Sequence, residues 1–312
     1  MLHTPVLLEE VIRVMEPKPG DFIIDGTLGG GGHARELAKR IGPSGMLLGI
    51  DWDADAVRRA KETLSTLTIK RLAIVQGNYA ELSAVLAKEK LPKADSLLLD
   101  LGLSSDQLAD SGRGFSFEGD EPLDMRYDPK SGNPSAAEVV NGTREEELAD
   151  IIFRYGEERN ARRIAKAIVA ARRKEKILRT PDLIRVIESV VPRPSFAKLP
   201  PSPKLRRTGR TGKGKFHPAT KTFMALRIFV NREFENLETI LEKLPAVVRR
   251  GGRAAIITFH SLEDRIVKKC FQELVKSGKA TLLNKKPIIP TREEIFKNPR
   301  SRSAKLRACT II

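Results

Sequence analysis

The apolar positions change period several times along this chain, and each change predicts an element. Val6, Leu7, Val11, Val14 and Met15 recur at helical spacing from His3 to Met15, and Pro17 and Pro19 end that run. Phe22, Ile23 and Ile24 then form a short continuous apolar run within Asp21–Asp25, the pattern of a strand buried on both faces. Helical spacing returns over His33–Ile41, through Ala34, Leu37, Ala38 and Ile41. The exchange then repeats, with strands predicted over Met46–Asp51, Arg71–Gln76 and Asp95–Asp100 and helices over Ala54–Ser65 and Glu81–Lys88. Strands alternating with helices in this way predict an α/β fold with a mostly parallel, doubly wound sheet.

The alternation stops at Gln107. A Gly- and Pro-rich loop runs to Pro134, and Pro134–Lys176 reads as strongly helical, striped by Leu148, Ile151, Ile152, Ile164, Ile168 and Val169. Leu183–Val191 adds a helix, and Pro192–Gly214 is rich in Pro, Gly, Lys and Arg, the composition of a mobile segment. The α/β pattern resumes with one long amphipathic helix over Ala219–Leu244, a strand over Arg253–Phe259, a helix from Ser261 and a last strand over Ser303–Ile312. The expected organisation is a discontinuous α/β domain, residues 1–106 and 216–312, interrupted by a helical domain at 107–215 that ends in a basic mobile stretch, 192–215.

Composition narrows the class. The 312 residues are 40% apolar, enough for a packed core, yet no run is long enough to span a bilayer and Met1–Glu16 lacks the pattern of a signal peptide. Two distant cysteines without a CxxC and four scattered histidines point to the cytoplasm and give no reason to expect a metal. The formal charge of +16 suits a polyanionic partner. From Ser189 to Arg232 there is no acid at all, while Arg206, Arg207, Arg210, Lys213 and Lys215 crowd its centre. A one-sign block of this length is not a balanced solvated face, so these five residues are the expected nucleic-acid contacts.

Candidate chemistry gathers at the ends of the predicted strands. Gly29–Gly32 follow the first strand and open a helix, which brings bare N–H groups over the strand end. Asp51 ends the next strand about 20 residues on, where a ribose-binding acid falls in dinucleotide sites. Asp53 is the better placed N-cap for the helix that follows. Tyr79 could stack on an adenine and Asn78 could hydrogen-bond its edge, and Asp100 ends the fourth strand. An adenosine-bearing ligand fits. A NAD-dependent oxidoreductase shares these glycines and this acid but gives no reason for the basic insert, and a ribosome-assembly RNA-binding protein would leave the pocket idle.

The loop resembles that of class I S-adenosylmethionine methyltransferases: Asp25, Gly29 and Gly31 match, and Thr27 stands where that family has its first glycine. The blocks HTPVLLEEV, DGTLGGGGH, LDLGLSS, GRGFSF, PLDMRYDP, YGEER, HPATKTF and FHSLEDRIVK, with SRSAKLR near the end, together resemble the bacterial 16S rRNA cytosine-N4 methyltransferases, the RsmH or MraW family. The resemblance implies a Rossmann-like methyltransferase that uses S-adenosyl-L-methionine to methylate N4 of a decoding-region cytidine, with 16S rRNA in the small ribosomal subunit as its partner. A DNA amino-methyltransferase is the nearest enzymatic rival. By position, the family's cofactor residues carry over to Gly31, Gly32, His33, Asp51, Tyr79, Asp100 and Gln107.

Many amino-methyltransferases carry an Asp/Asn/Ser-Pro-Pro-aromatic turn, whereas this chain has Asp100-Leu101-Gly102-Leu103-Ser104-Ser105. Asp100 is expected nearest the methyl donor or the target amine, with Ser104 and Ser105 as further acceptors; alternatively Asp100 contacts cofactor only and the serines cap a helix. Asp124 could accept from the cytosine amine while Arg126 meets phosphate, or the two could pair and brace their loop. His217 and His260 are candidate target contacts, although His217 also suits a helix-entry turn, and Ser261 with Asp264 resembles a capping box. Either a monomer or a homodimer is compatible with the sequence.

Overall fold

The computed structural model describes residues 5–103, 112–116, 119–191 and 217–312. The chain divides into two compact units, one made of Met1–Ser105 with Glu233–Ile312 and the other of Asp106–Arg232.

The first unit is built on a seven-stranded sheet in the order β3-β2-β1-β4-β5-β7-β6. Its strands are β1 (Phe22–Asp25), β2 (Met46–Asp51), β3 (Arg71–Gln76), β4 (Ala94–Asp100), β5 (Val248–Thr258), β6 (Ala280–Leu282) and β7 (Lys305–Ile311). Neighbours from β3 to β5 pair in parallel, and β7 runs antiparallel between β5 and β6. Alternate side chains supply two cores. Ile24, Leu48, Leu99 and Ile256 face α4 (Leu82–Lys88), α10 (Glu233–Glu242) and α12 (Ser261–Lys276), where Leu86, Leu237 and Phe271 are buried. Ile23, Leu47, Leu98 and Ile257 face α1 (Leu8–Met15) and α2 (Gly32–Ile41), where Val11, Met15 and Leu37 are buried. Burial on both faces explains why the strands read as continuous apolar runs rather than alternating ones. The strand order reverses between β1 and β4, the place where open α/β sheets form a crevice above their carboxyl ends.

The predicted strands and their parallel pairing match this sheet, with three departures. β5 begins at Val248, before the expected Arg253, because Gly251 at φ +75° and Gly252 carry an irregular entry into the strand. β6 is a three-residue edge strand, too short to show a period. The long helix expected over Ala219–Leu244 is broken into α9 (Thr220–Val230), α10 and the short α11 (Leu244–Val247). Asn231 ends α9, buried, accepting from the Tyr127 N–H at 2.8 Å and donating to the Met125 carbonyl at 2.7 Å, and Arg232 follows at φ +50°. The apolar stripe continues across the break, which hides it. As a result the boundary between units falls after Arg232, so His217 and α9 belong with the inserted unit rather than with the expected 216–312 segment.

The second unit is helical, with α5 (Ala136–Gly142), α6 (Glu145–Gly156), α7 (Ala161–Arg172) and α8 (Thr180–Val190) beside α9. Ser135 and Glu138 close a reciprocal capping box on α5. Gly156 is set where α6 meets α9; a methyl there would lie 2.5 Å from the Lys221 carbonyl oxygen, so the glycine of the YGEER block is required for close helix packing.

Candidate active site

The crevice side of the first unit is lined by acids. Asp25 ends β1, is 1% exposed, and accepts from the Thr27 N–H at 3.2 Å. Burial drives its pKa up to about 7, opposed by the Thr27 hydrogen bond and reinforced by the nearby charge of Asp51. Asp51 ends β2, and its two oxygens accept from the Gly29 N–H at 2.7 Å and the Asp53 N–H at 2.9 Å. Burial raises it to about 6 against those two bonds. Asp53, not Asp51, caps α3 (Ala54–Leu64), accepting from the Asp55 N–H at 3.1 Å, as expected. Asp51 therefore fastens the glycine loop to β2, and each of its oxygens keeps a lone pair for a ligand hydroxyl.

The loop itself divides by space. A methyl at Gly26 would lie 2.5 Å from Leu99 Cδ2 and 3.4 Å from Tyr79 Cβ, whereas one at Gly29 or Gly30 would meet no atom within 4 Å. Gly26 seals the floor, and Gly29 and Gly30 present an open face. Gly31, at φ +81°, precedes α2, whose first residue is Gly32. The missing glycine at Thr27 has a structural reason: its hydroxyl oxygen accepts the Asp100 N–H at 2.6 Å, tying the glycine loop to the end of β4.

Asp100 lies at the centre. His33 Nε2–H donates to the Val6 carbonyl at 2.9 Å, which turns Nδ1 toward Asp100 Oδ2 at 3.6 Å. The other oxygen, Oδ1, is buried and has no hydrogen-bond partner among the described residues. Burial raises the Asp100 pKa well above the ordinary carboxylate value, and the charges of Asp25 and Glu263 push in the same direction. Tyr79 lies in a short 3₁₀ turn, Tyr79–Glu81, capped by Asn78, whose Oδ1 accepts the Ala80 N–H at 2.9 Å. That bond takes one lone pair of the Asn78 carbonyl oxygen. Burial raises the Tyr79 hydroxyl above its ordinary value, with Glu233 and Glu263 adding to the shift.

Glu263 is the site acid that the motif reading missed. It is 3% exposed, and Oε2 accepts from the Phe259 N–H at 2.8 Å and the His260 N–H at 3.3 Å. The capping box of α12 thus joins His260 to Glu263, not Ser261 to Asp264; His260 Nδ1 accepts the Glu263 N–H at 3.4 Å. His260 Nε2 lies 2.9 Å from Glu263 Oε1. Asp264 points instead to β7, where Arg307 Nε reaches it at 2.6 Å and Lys305 Nζ at 3.2 Å. The acid three residues beyond a helix start was the available signal, obscured because histidine is not among the usual capping residues.

Glycines 31 and 32, His33, Asp51, Tyr79, Asp100 and His260 all lie in the first unit. In the second unit, Asp124 and Arg126 form a bidentate pair, Nε to Oδ1 and an Nη to Oδ2, both at 2.7 Å. Met125 between them is fully buried at φ +62°, so the turn is braced internally. The Arg126 bonds hold the Asp124 carboxyl below its ordinary value although burial opposes them. His217 takes the Ala219 N–H on Nδ1 at 3.2 Å and meets Glu188 through Nε2 at 3.1 Å, the arrangement of a helix-entry turn. Ser104, Ser105, Gln107, Arg206, Arg207, Arg210, Lys213 and Lys215 lie outside the described residues. Among the described residues no group of three or more His, Cys, Asp or Glu is placed to hold a metal ion, and no helix is long and apolar enough to cross a membrane.

Comparison with known proteins identifies the lineage. The chain is 41% identical to ribosomal RNA small subunit methyltransferase H of Syntrophobacter fumaroxidans over 322 aligned positions, covering 98% of this chain and 95% of that protein. It is 45% identical to the protein of the same name from Koribacter versatilis, covering 98% and 93%, and 42% identical to that of Syntrophus aciditrophicus, covering 98% and 96%. All of residues 1–312 match one family, and the chain belongs to it: the MraW methylase family.

Proposed function

We propose that this protein transfers the methyl group of S-adenosyl-L-methionine to N4 of a cytidine in the decoding region of 16S rRNA, acting in the cytoplasm on the small ribosomal subunit. The cofactor is supported by one feature above all: a cluster of acids at the strand ends, Asp25 fully buried and Asp51 and Asp100 partly so, whose carboxyls burial pushes toward the neutral form. Asp25, Asp51 and Asp100 are all pushed toward the neutral form, and a ligand carrying positive charge relieves that penalty. S-adenosylmethionine carries a sulfonium and an ammonium, so its chemistry fits this donor set. When bound, it supplies an electrophilic methyl group. Asp51 offers its remaining lone pairs to the ribose hydroxyls, and the open face at Gly29 and Gly30 admits the ligand against backbone.

The acceptor is supported by the names of the relatives, which act on small-subunit ribosomal RNA. A cytosine amine is a poor nucleophile because its lone pair is delocalised into the ring. An acceptor beside its N–H localises that pair, and Asp100 Oδ1 is the buried acceptor that this unit offers. Holding amine and methyl in line then lowers the barrier, an effect worth up to roughly 7–11 kcal/mol. Arg206, Arg207, Arg210, Lys213 and Lys215 serve substrate recognition on this reading, the Asp124–Arg126 pair braces its loop, and Ser104 and Ser105 extend the acceptor set.

Asp100→Ala and Asp100→Asn test the assignment, with cofactor affinity measured by calorimetry and methyl transfer measured on undermethylated small subunits. Transfer is expected to fall by far more than cofactor affinity does. Equal losses in both would restrict Asp100 to cofactor binding.

A further inference from the structure

A second concavity lies at the carboxyl end of β5, away from the acid cluster. It encloses about 290 Å³ between the start of α12 and the residues that lead into β7. Phe259 and Ile295 line its apolar side, and His260, Arg302 and Lys305 its polar side; none of Asp25, Asp51 or Asp100 contributes to it. The antiparallel register sets Lys305 opposite Thr258, so the SRSAKLR block is delivered to the end of β5, just before His260 caps α12.

The surroundings are strongly cationic and carry exposed apolar surface. Residues 285–305 hold seven Lys and Arg against two acids, Glu293 and Glu294. Both acids are engaged, Glu293 with Lys297 Nζ at 2.7 Å and Glu294 with the Leu7 N–H at 2.7 Å. Arg302 is exposed and makes no ion pair among the described residues. Phe296, next to the pocket residue Ile295 on α13 (Arg292–Lys297), is 86% exposed, and Ile289 at the rim is 63% exposed. A ring this open has no packing role. Exposed aromatic surface beside an exposed arginine that makes no ion pair is the pattern that holds single-stranded nucleic acid, with bases stacked on the ring and phosphate on the cation.

We propose that this pocket and Phe296 hold unpaired rRNA nucleotides that flank the target cytidine, one base entering the pocket, its neighbour stacking on Phe296, and the phosphate between them meeting Arg302. The inference rests on the RNA substrate proposed above. Phe296→Ala and Arg302→Glu, singly and together, test it, since both side chains are exposed and the fold does not depend on them. The probes are a short oligouridylate, followed by fluorescence anisotropy and by ultraviolet crosslinking with mass spectrometry, and undermethylated small subunits, followed by the KM for methyl transfer.

Oligouridylate binding by Phe296→Ala is expected to weaken roughly 5- to 150-fold, the range of one lost base–aromatic stack. The subunit KM is expected to rise with it while cofactor affinity stays unchanged, and crosslinks in the wild type are expected at Phe296 or the pocket wall. Arg302→Glu is also expected to lower the salt slope of binding by at least about 0.7, one phosphate contact. Wild-type affinity and crosslinking in both variants would overturn the proposal. So would a loss of subunit binding with oligouridylate binding intact, which would assign the surface to a ribosomal protein. A wild-type protein that binds oligouridylate through Phe296 but does not methylate subunits would instead overturn the proposed reaction and leave the pocket assignment standing.

Discussion

Replacing Asp25 by Asn asks whether the first unit is built around buried acids that await a cation. Asp25 is 1% exposed, and burial, with the charge of Asp51, raises its pKa to about 7 against hydrogen bonds from Thr27 and Ala34. Below about pH 4 the carboxyl is protonated in both folded and unfolded chains and contributes nothing. Between about pH 4 and 7 the folded protein keeps a proton that the unfolded chain has released, so stability falls as pH rises. Above that window the penalty is constant at about 4 kcal/mol. Asparagine carries no such penalty but weakens the accepting bonds, at a cost of about 1–2 kcal/mol. The variant is therefore expected to match the wild type near about pH 5 and to exceed it by roughly 2–3 kcal/mol near about pH 8. Urea unfolding followed by fluorescence of Trp52, the single tryptophan and a neighbour of Asp51, reports on this unit directly. The slope against urea should not change, so the shift appears in the midpoint. Cofactor affinity should fall in the same variant because a cation has lost part of its counter-charge. A variant equally destabilised at both pH values would refute the reasoning.

Two further outcomes follow from single contacts. Thr27→Val keeps the shape of the side chain but leaves the Asp100 N–H without its acceptor, so a loss of about 1–3 kcal/mol is expected in urea unfolding, with weaker cofactor binding by calorimetry and recovery in Thr27→Ser. Asp124→Asn converts a bidentate ion pair into a neutral contact, and a loss of about 1–3 kcal/mol is expected for the inserted unit, read as a lower thermal midpoint at unchanged cofactor affinity. An unchanged midpoint would remove the bracing role.

The sheet was legible because its inner strands are buried on both faces and read as apolar runs that end in acids, and Asp25, Asp51 and Asp100 stand at those ends. The break between α9 and α10 was not, because the apolar stripe runs through it and only the buried partners of Asn231 reveal it. Thr27 could be seen as a departure from a glycine pattern, but its purpose, the bond to the Asp100 N–H, joins residues 73 apart in the chain and leaves no local mark. Glu263 was hidden for a related reason: its partners are backbone N–H groups and a histidine cap, while the neighbouring Asp264, equally acidic in sequence, turns away to Arg307. The pairing of Asp124 with Arg126 was one of two readings left open, and the geometry forms that pair.

The most direct test of the proposed reaction is incubation of the protein with isotopically labelled S-adenosylmethionine and undermethylated small ribosomal subunits, followed by nucleoside mass spectrometry of the rRNA. Label in N4-methylcytidine, traced to one decoding-region nucleotide and absent from parallel DNA controls, is the expected result. Label on another atom or another polymer, or tight cofactor and subunit binding with no transfer, would contradict it.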